Sequence, residues 1–354
     1  MKKGKTNVRE HKDRLKDYFT DRLNDMIFVE LSDEFVEKAG AQSYLKDVPV
    51  PIGKADLPGF AGGAGLKTAQ MGERMVEVIG CDPEFKYADN YLAFLGHAFD
   101  DKLINVILGR AAEAAEKGDL KTACVQYRAA VALDENDPAA LFGYARTCQD
   151  IYISSEDDKE IGDFKAESLE SFERMTIEHP GVAEGHYYLG YAYVNMGLYL
   201  KAKIAWEEFV RLRMTELRSG EASAESDDGI SDGNFKIPEE VTEIRGRLAQ
   251  LEEPVKIEEG CNHIIAGRYD QGIEVLEEFA GGAHGNWWPM HFYLGTAYRE
   301  TGRLDEAVAS FRNVLRLNAS HADSMQELAE IYGELGDIEM EQKYRKKLML
   351  IRNM

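Results

Sequence analysis

The stretch that decides the fold is Leu294-Gly295-x-x-Tyr298-x-x-x-Gly302-x-Leu304-x-x-Ala307-x-x-x-Phe311-x-x-Val314. Its apolar residues fall three, four and seven apart, the spacing that puts one stripe along one face of a helix. Gly302 interrupts the pattern where a left-handed residue is needed to close a first helix. The stretch therefore reads as two helices joined by a tight turn. The small residues Gly295 and Ala307 let the two axes approach closely.

Outward from Gly302 the same context recurs at Gly118, Gly197, Gly267 and Gly336. Each glycine is followed two places later by an apolar or aromatic residue: Leu120, Tyr199, Tyr269, Leu304 or Ile338. Gly267, Gly302 and Gly336 lie 35 and 34 residues apart, and Gly197 precedes Gly267 by two periods plus two. Gly118 precedes Gly197 by two periods plus eleven. Other positions keep phase. Tyr193, Tyr298 and Tyr332 lie four residues before a glycine, and Ala123, Ala202, Gly272 and Ala307 five after. Tyr127, Trp206, Leu276 and Phe311 lie nine after. Internal similarity at such a period marks stacked helix pairs, none of which buries its stripe alone.

This pattern resembles the tetratricopeptide repeat over residues 104–354. The resemblance implies an all-α, right-handed α-solenoid of stacked helix-turn-helix units with an irregular helical N-terminal cap. The units fall at 104–137, 138–182, 183–216, 253–287, 288–321 and 322–354. The second carries an eleven-residue insertion near 153–163. Residues 217–252 read as a degenerate unit, with a flexible acidic loop at 219–234 and a helix over 238–253. In the last unit Glu341 and Arg345 replace the expected small and aromatic residues, as suits a polar terminal cap.

The first hundred residues do not match the repeat. Leu15, Tyr18, Phe19, Leu23, Met26 and Ile27 suggest a helix over 9–29, and Ser32 a cap for a second helix reaching about residue 45. Residues 47–65, with three prolines and several glycines, predict an extended strap. A helical hairpin, 66–79 and 83–95, is the right size to cover the open end of the first repeat.

The charge of −22 argues against nucleic acid and against anionic lipid as partners, since both require clustered Lys and Arg. The basic residues among 2–22 are interleaved with acids. The 66–95 hairpin could pass for a DNA-reading helix-turn-helix, but its second helix offers Glu84, Asp89 and Asn90 with Lys86 as the lone base. Gly65-Leu66-Lys67-Thr68 breaks the phosphate-loop motif, which needs glycine directly before the lysine. Cys81, Cys124, Cys148 and Cys261 lie far apart, without a C-x-x-C pair, which fits a reducing, cytoplasmic location. His284 and His291 flank Trp287-Trp288 without further ligands at helical spacing. No catalytic constellation, metal or cofactor is expected.

The resemblance implies that the first helix of each unit lines a concave groove. Mapped onto this chain, that face carries Phe142, Arg146 and Gln149, then Tyr187, Tyr191 and Asn195, then Ile257, Ile264, Phe292, Thr296 and Arg299. Rings supply apolar contact and amides hold backbone groups, as an extended or helical peptide needs. The Lys and Asn with which one family subtype grips a carboxylate tail are missing: their positions hold Leu108, Ala112, Phe142, Arg146, Tyr187 and Tyr191. The expected function is a non-catalytic protein-interaction scaffold binding a peptide or protein segment. The alternative is a ligand- or peptide-sensing regulator whose N-terminal region, with Val48-Pro49-Val50-Pro51-Ile52 in the groove, is effector or auto-inhibitor. The sequence does not specify the oligomeric state.

Overall fold

The structure, a computed structural model, describes residues 13–38, 41–59, 67–99, 102–224 and 237–352. It divides into two compact units, Met1–Ala192 and Tyr193–Met354. The first unit opens with short 3-10 turns at Lys16–Tyr18 and Thr20–Asp25, followed by strand β1 (Met26–Val29). Helices α1 (Asp33–Lys38) and α2 (Gln42–Leu45) lead to strand β2 (Val50–Gly53) and the single turn α3 (Leu57–Gly59). Then come α4 (Thr68–Cys81), α5 (Ala88–Ala98), α6 (Lys102–Glu116), α7 (Leu120–Leu133), α8 (Pro138–Ser154) and α9 (Asp158–Glu178). Helix α10 (Ala183–Asn195) crosses the boundary. The second unit continues with α11 (Tyr199–Ala224), α12 (Glu239–Gln250), α13 (Glu252–Ile265) and α14 (Tyr269–Ala280). It ends with α15 (Trp288–Glu300), α16 (Leu304–Leu317), α17 (Ala322–Glu334) and α18 (Ile338–Arg352).

Among the described residues the fold is all-α apart from one two-stranded ribbon, and it is built from antiparallel helix pairs: α6 with α7, α8 with α9, α13 with α14, α15 with α16, α17 with α18. The second helix packs on the next first helix where α7 meets α8, α14 meets α15 and α16 meets α17, and neighbouring first helices also touch, as α13 does α15. The five glycines of the repeat all adopt the left-handed conformation, with φ between 72° and 79°. The residue after each one closes the helix by donating to a carbonyl five residues back. Asp119 N to Ala114 O, at 2.9 Å, and Arg303 N to Tyr298 O, at 2.8 Å, are two examples. Gly295 lies beneath Phe311, where a Cβ would come within 2.8 Å of the ring.

The eleven extra residues of the second unit of the repeat form no loop. Helices α15 and α16 have 13 and 14 residues, whereas α8 and α9 have 17 and 21. The turns between and after the helices keep the same lengths in both pairs. The insertion is thus four residues on one helix and seven on the other, close to one and two helical turns. Each apolar stripe stays on its own face, and Phe164, Ser168, Ser171, Phe172 and Met175 form the extended stripe of α9. Here the turn lacks a glycine, and Asp157 instead caps α9 by accepting from Glu160 N at 2.7 Å.

Several N-terminal expectations are corrected. Of the helix expected over 9–29, residues 9–12 lie outside the described residues. The remainder forms the two 3-10 turns and β1, because Met26, Ile27, Phe28 and Val29 pair antiparallel with Gly53, Ile52, Pro51 and Val50. The second helix is split into α1 and α2. The strap is core, not a displaceable ligand: Val48, Val50 and Ile52 are buried, Val48 and Val50 within the cluster that holds α4 and α5, and the Tyr91 hydroxyl donates to Pro49 O at 2.5 Å. Residues 60–66 of the glycine-rich run lie outside the described residues. Of the acidic stretch 219–234, residues 219–224 belong to α11, and 225–234 lie outside the described residues.

Residues 13–25 lie across α7, α8 and α9. Leu15 and Phe19 are fully buried against Cys124, Tyr144 and Phe164. Tyr18 donates to Asp163 at 2.8 Å, Arg14 to Glu170 at 2.9 Å, and Arg22 to Thr122 at 3.0 Å. Helix α4 reaches the backbone of α7, so a Cβ at Gly80 would stand 2.1 Å from Val125 O.

Candidate functional site

The first helices of the pairs carry every residue expected to line a groove, and the two units present them differently. In the first unit, Pro138 starts α8 and Asp137 caps it by accepting from Ala140 N at 2.8 Å. Phe142, Arg146 and Gln149 then share one face at helical spacing. Phe142 and Tyr188 have ring centroids 5.5 Å apart, and Tyr188 stacks on Phe172 of α9 at 5.8 Å. Tyr187 continues the run, 5.0 Å from Tyr188 and 5.1 Å from Tyr191. The Arg146 guanidinium sits 4.4 Å above the Tyr188 ring and donates to Gln149 Oε1 at 2.6 Å and Asp150 Oδ1 at 3.2 Å.

Phe142, Arg146, Tyr187 and Tyr191 are therefore brought together, half-buried, in one aromatic patch. Gln149 is only 4% exposed and its amide oxygen is taken by Arg146, so it braces the patch from below instead of lining it. Sequence reasoning missed Tyr188. It is adjacent to Tyr187 but points toward the preceding pair, where Phe172 and Phe142 receive it. The signal available was the preceding second helix, whose stripe needs an aromatic lid at that position.

In the second unit the expected set separates. Ile257 and Ile264 are each 4% exposed and belong to the core. The cause for Ile264 is Gly272 on α14, where a Cβ would lie 2.3 Å from Ile264 Cγ1, so the bare backbone draws the side chain inward. Phe292 is half-buried, with centroids 5.8 Å from Phe311 and 5.0 Å from His321. Thr296 donates its hydroxyl to Phe292 O at 3.0 Å. Arg299 is claimed by three carboxylates of α17: Glu327, Glu330 at 2.9 Å and Glu334 at 3.2 Å. Burial opposes its charge, but hydrogen bonds and attraction from Glu327 and Glu330 outweigh that and hold its pKa above the usual value. This face of α15 and α17 is thus rich in carboxylate, with its guanidinium neutralised from within. Asn195 is exposed at the end of α10.

The remaining candidates have structural duties. His186 and His291 each contact, through Nε2, the carbonyl six residues upstream, Pro180 O at 3.1 Å and Gly285 O at 2.7 Å, which latches the loop before each helix. His284 pairs with Glu253 at 2.9 Å. Burial pushes the Cys81 and Cys261 thiols up to about 12 and raises Cys148 well above its usual value, so these sulfurs are protonated and unreactive near neutrality. Helix α5, the element a DNA-reading hairpin would insert into a groove, packs on α2. Asn90 donates to Tyr44 O at 3.0 Å and His97 stacks on Tyr44 at 5.0 Å. Among the described residues no three His, Cys, Asp or Glu side chains converge as a metal site, and no helix is long and apolar enough to cross a membrane.

A family model of the tetratricopeptide repeat matches residues 289–321. No curated protein matches the sequence. Among solved structures, the MamA protein is 14% identical, covering 71% of this chain and 93% of its own, with a TM-score of 0.27. PilW, a widely conserved type IV pilus biogenesis factor, is 14% identical over 71% of this chain and 94% of its own, with a TM-score of 0.32. The P58(IPK) TPR domain is 15% identical over 70% of this chain and 60% of its own, with a TM-score of 0.36.

Proposed function

We propose that this chain, a tetratricopeptide-repeat protein, is a non-catalytic interaction scaffold that holds a peptide or protein segment against the first helices of its pairs. The observation that carries this reading is the aromatic patch of Phe142, Tyr187, Tyr188 and Tyr191 with Arg146 above it. Half-buried rings held by one another offer apolar contact at little entropic cost, and the guanidinium edge offers directed donors. The work is binding, with no bond-making step, and it is assigned to the cytoplasm, where buried free thiols remain reduced.

The test uses peptides selected from a displayed library on the full chain. Tyr187→Ala with Tyr191→Ala should weaken their binding by about tenfold or more, equivalent to about 1.4 kcal/mol. Arg299→Ala, in the second unit, should leave it within about twofold, since its guanidinium is already satisfied. Unchanged affinity in the tyrosine variant, with its helicity intact, overturns the assignment of the patch.

A further inference from the structure

A cavity of about 550 Å³ opens in the first unit beside α7, α8 and α9, with residues 13–14 and Pro83-Glu84 forming one end. Its wall is built mainly from α7 and α9 with Leu141 and Tyr144 of α8, and none of the four rings of the aromatic patch lines it. Its apolar surface comes from Val131 and Leu141, with Ile177 standing 73% exposed. The volume falls within the range of about 300–1,000 Å³ in which ordinary ligands are held.

Two features of the wall say what would fit. Arg128 is 5% exposed and uses Nη2 on Asp13, but its buried Nη1 has no acceptor among the described residues. A buried N–H without an acceptor costs folding free energy, which a ligand oxygen would recover. The wall as a whole is acidic, with six carboxylates against the three guanidiniums of Arg14, Arg128 and Arg174. That balance repels an anion, so the oxygen that meets Arg128 must come from a neutral group whose companions are cationic. A main-chain carbonyl flanked by Lys or Arg side chains satisfies both demands. Glu84 and Glu178, both exposed, are placed to receive the cations at the rim.

We propose that this cavity binds a lysine- and arginine-rich segment of a partner protein, with a backbone carbonyl on Arg128 and basic side chains on the surrounding glutamates. The probe is a labelled dodecapeptide of repeating Gly-Lys-Ala-Arg, followed by fluorescence anisotropy on the full chain at low salt. Saturable binding is expected. It should fall about tenfold or more in the double variant Glu84→Lys, Glu178→Lys and stay unchanged in the equally charged double variant Glu300→Lys, Glu339→Lys, at two exposed positions of the second unit. An equal loss in both variants means that net charge alone attracts the peptide, and overturns the site. Binding that emerges only after removal of residues 1–12, which carry Lys2, Lys3, Lys5, Arg9 and Lys12, gives the cavity to the chain's own basic segment and overturns the partner assignment. Absence of binding in either form also overturns it.

Discussion

The two units close their cores by different means. In the second, buried positions belong to the repeat: Leu294, Ala307, Phe311 and Leu328 are at most 2% exposed and occupy the stations that the period assigns them. In the first, Leu15, Phe19, Val50 and Ile52 are at most 1% exposed and have no counterpart in any repeat. A helix pair lacking a neighbour on one side therefore does not have to end in a polar cap. Here the first pairs are sealed by irregular chain laid over α4, α7 and α9, whereas in the second unit α18 buries Tyr344 alone.

The largest expected effect follows from that seal. Phe19 meets Phe164 edge-on at 6.2 Å and lies beneath the Arg128 guanidinium at 5.3 Å. Phe19→Ala should cost about 3–5 kcal/mol, as for other aromatic side chains removed from a core. Hydrogen exchange should show protection lost across α7, α8 and α9, with α15–α18 retained. A loss below about 1 kcal/mol would mean the seal is ornamental and the units are alike after all.

A smaller effect is expected from the turn that defines the repeat. Gly302 has φ 76° with open space where a Cβ would go, so the penalty of alanine there is conformational alone. Gly302→Ala should cost about 1–2 kcal/mol and loosen α15 and α16 first. The pair α8–α9, whose turn lacks such a glycine, has no equivalent weak point.

These cases show what was legible in the sequence. The glycines, the tyrosines before them and the small residues after them share one period, so local conformation and packing demand the same residue at each recurrence. The insertion was visible as a count, but its absorption into helix was not, because eleven residues carry no mark of whether they extend two helices or bulge between them. Residues 13–29 have a helical spacing of apolar side chains, yet β1 forms because its partner strand is supplied by the distant 50–53 segment. Among candidate lining residues, the resemblance put Phe142, Tyr187 and Tyr191 on the first-helix face, and the structure gathers those rings around Tyr188. It put Ile264 and Arg299 there too, but the burial of Ile264 depends on Gly272 of the facing helix, and Arg299 is held by carboxylates one repeat away.

The smallest effect separates the units by the sign of their pH response. In the first unit, burial raises the pKa of Glu167 above the ordinary carboxylate value, although the Tyr144 hydroxyl, at 2.9 Å, and the charges of Arg14 and Arg128 pull it down. The folded chain therefore holds this proton more tightly than the unfolded one. Stability from this group is greatest below the free glutamate value of about 4.3 and declines as pH rises through the raised folded value. In the second unit, hydrogen bonds from Gln326 and Arg299 lower the pKa of Glu330, so its contribution is present above the same range and lost as pH falls. Glu167→Gln keeps an oxygen for the Tyr144 hydroxyl, leaves Arg14 its bond to Glu170, and removes the charge that burial penalises. Its urea midpoint relative to the parent should rise between pH 4 and neutrality, whereas that of Glu330→Gln should fall over the same interval. Parallel slopes in the two variants would show that the half-buried carboxylate of the first unit is stabilised by its partners as fully as that of the second, and the contrast between the units would then rest on packing alone.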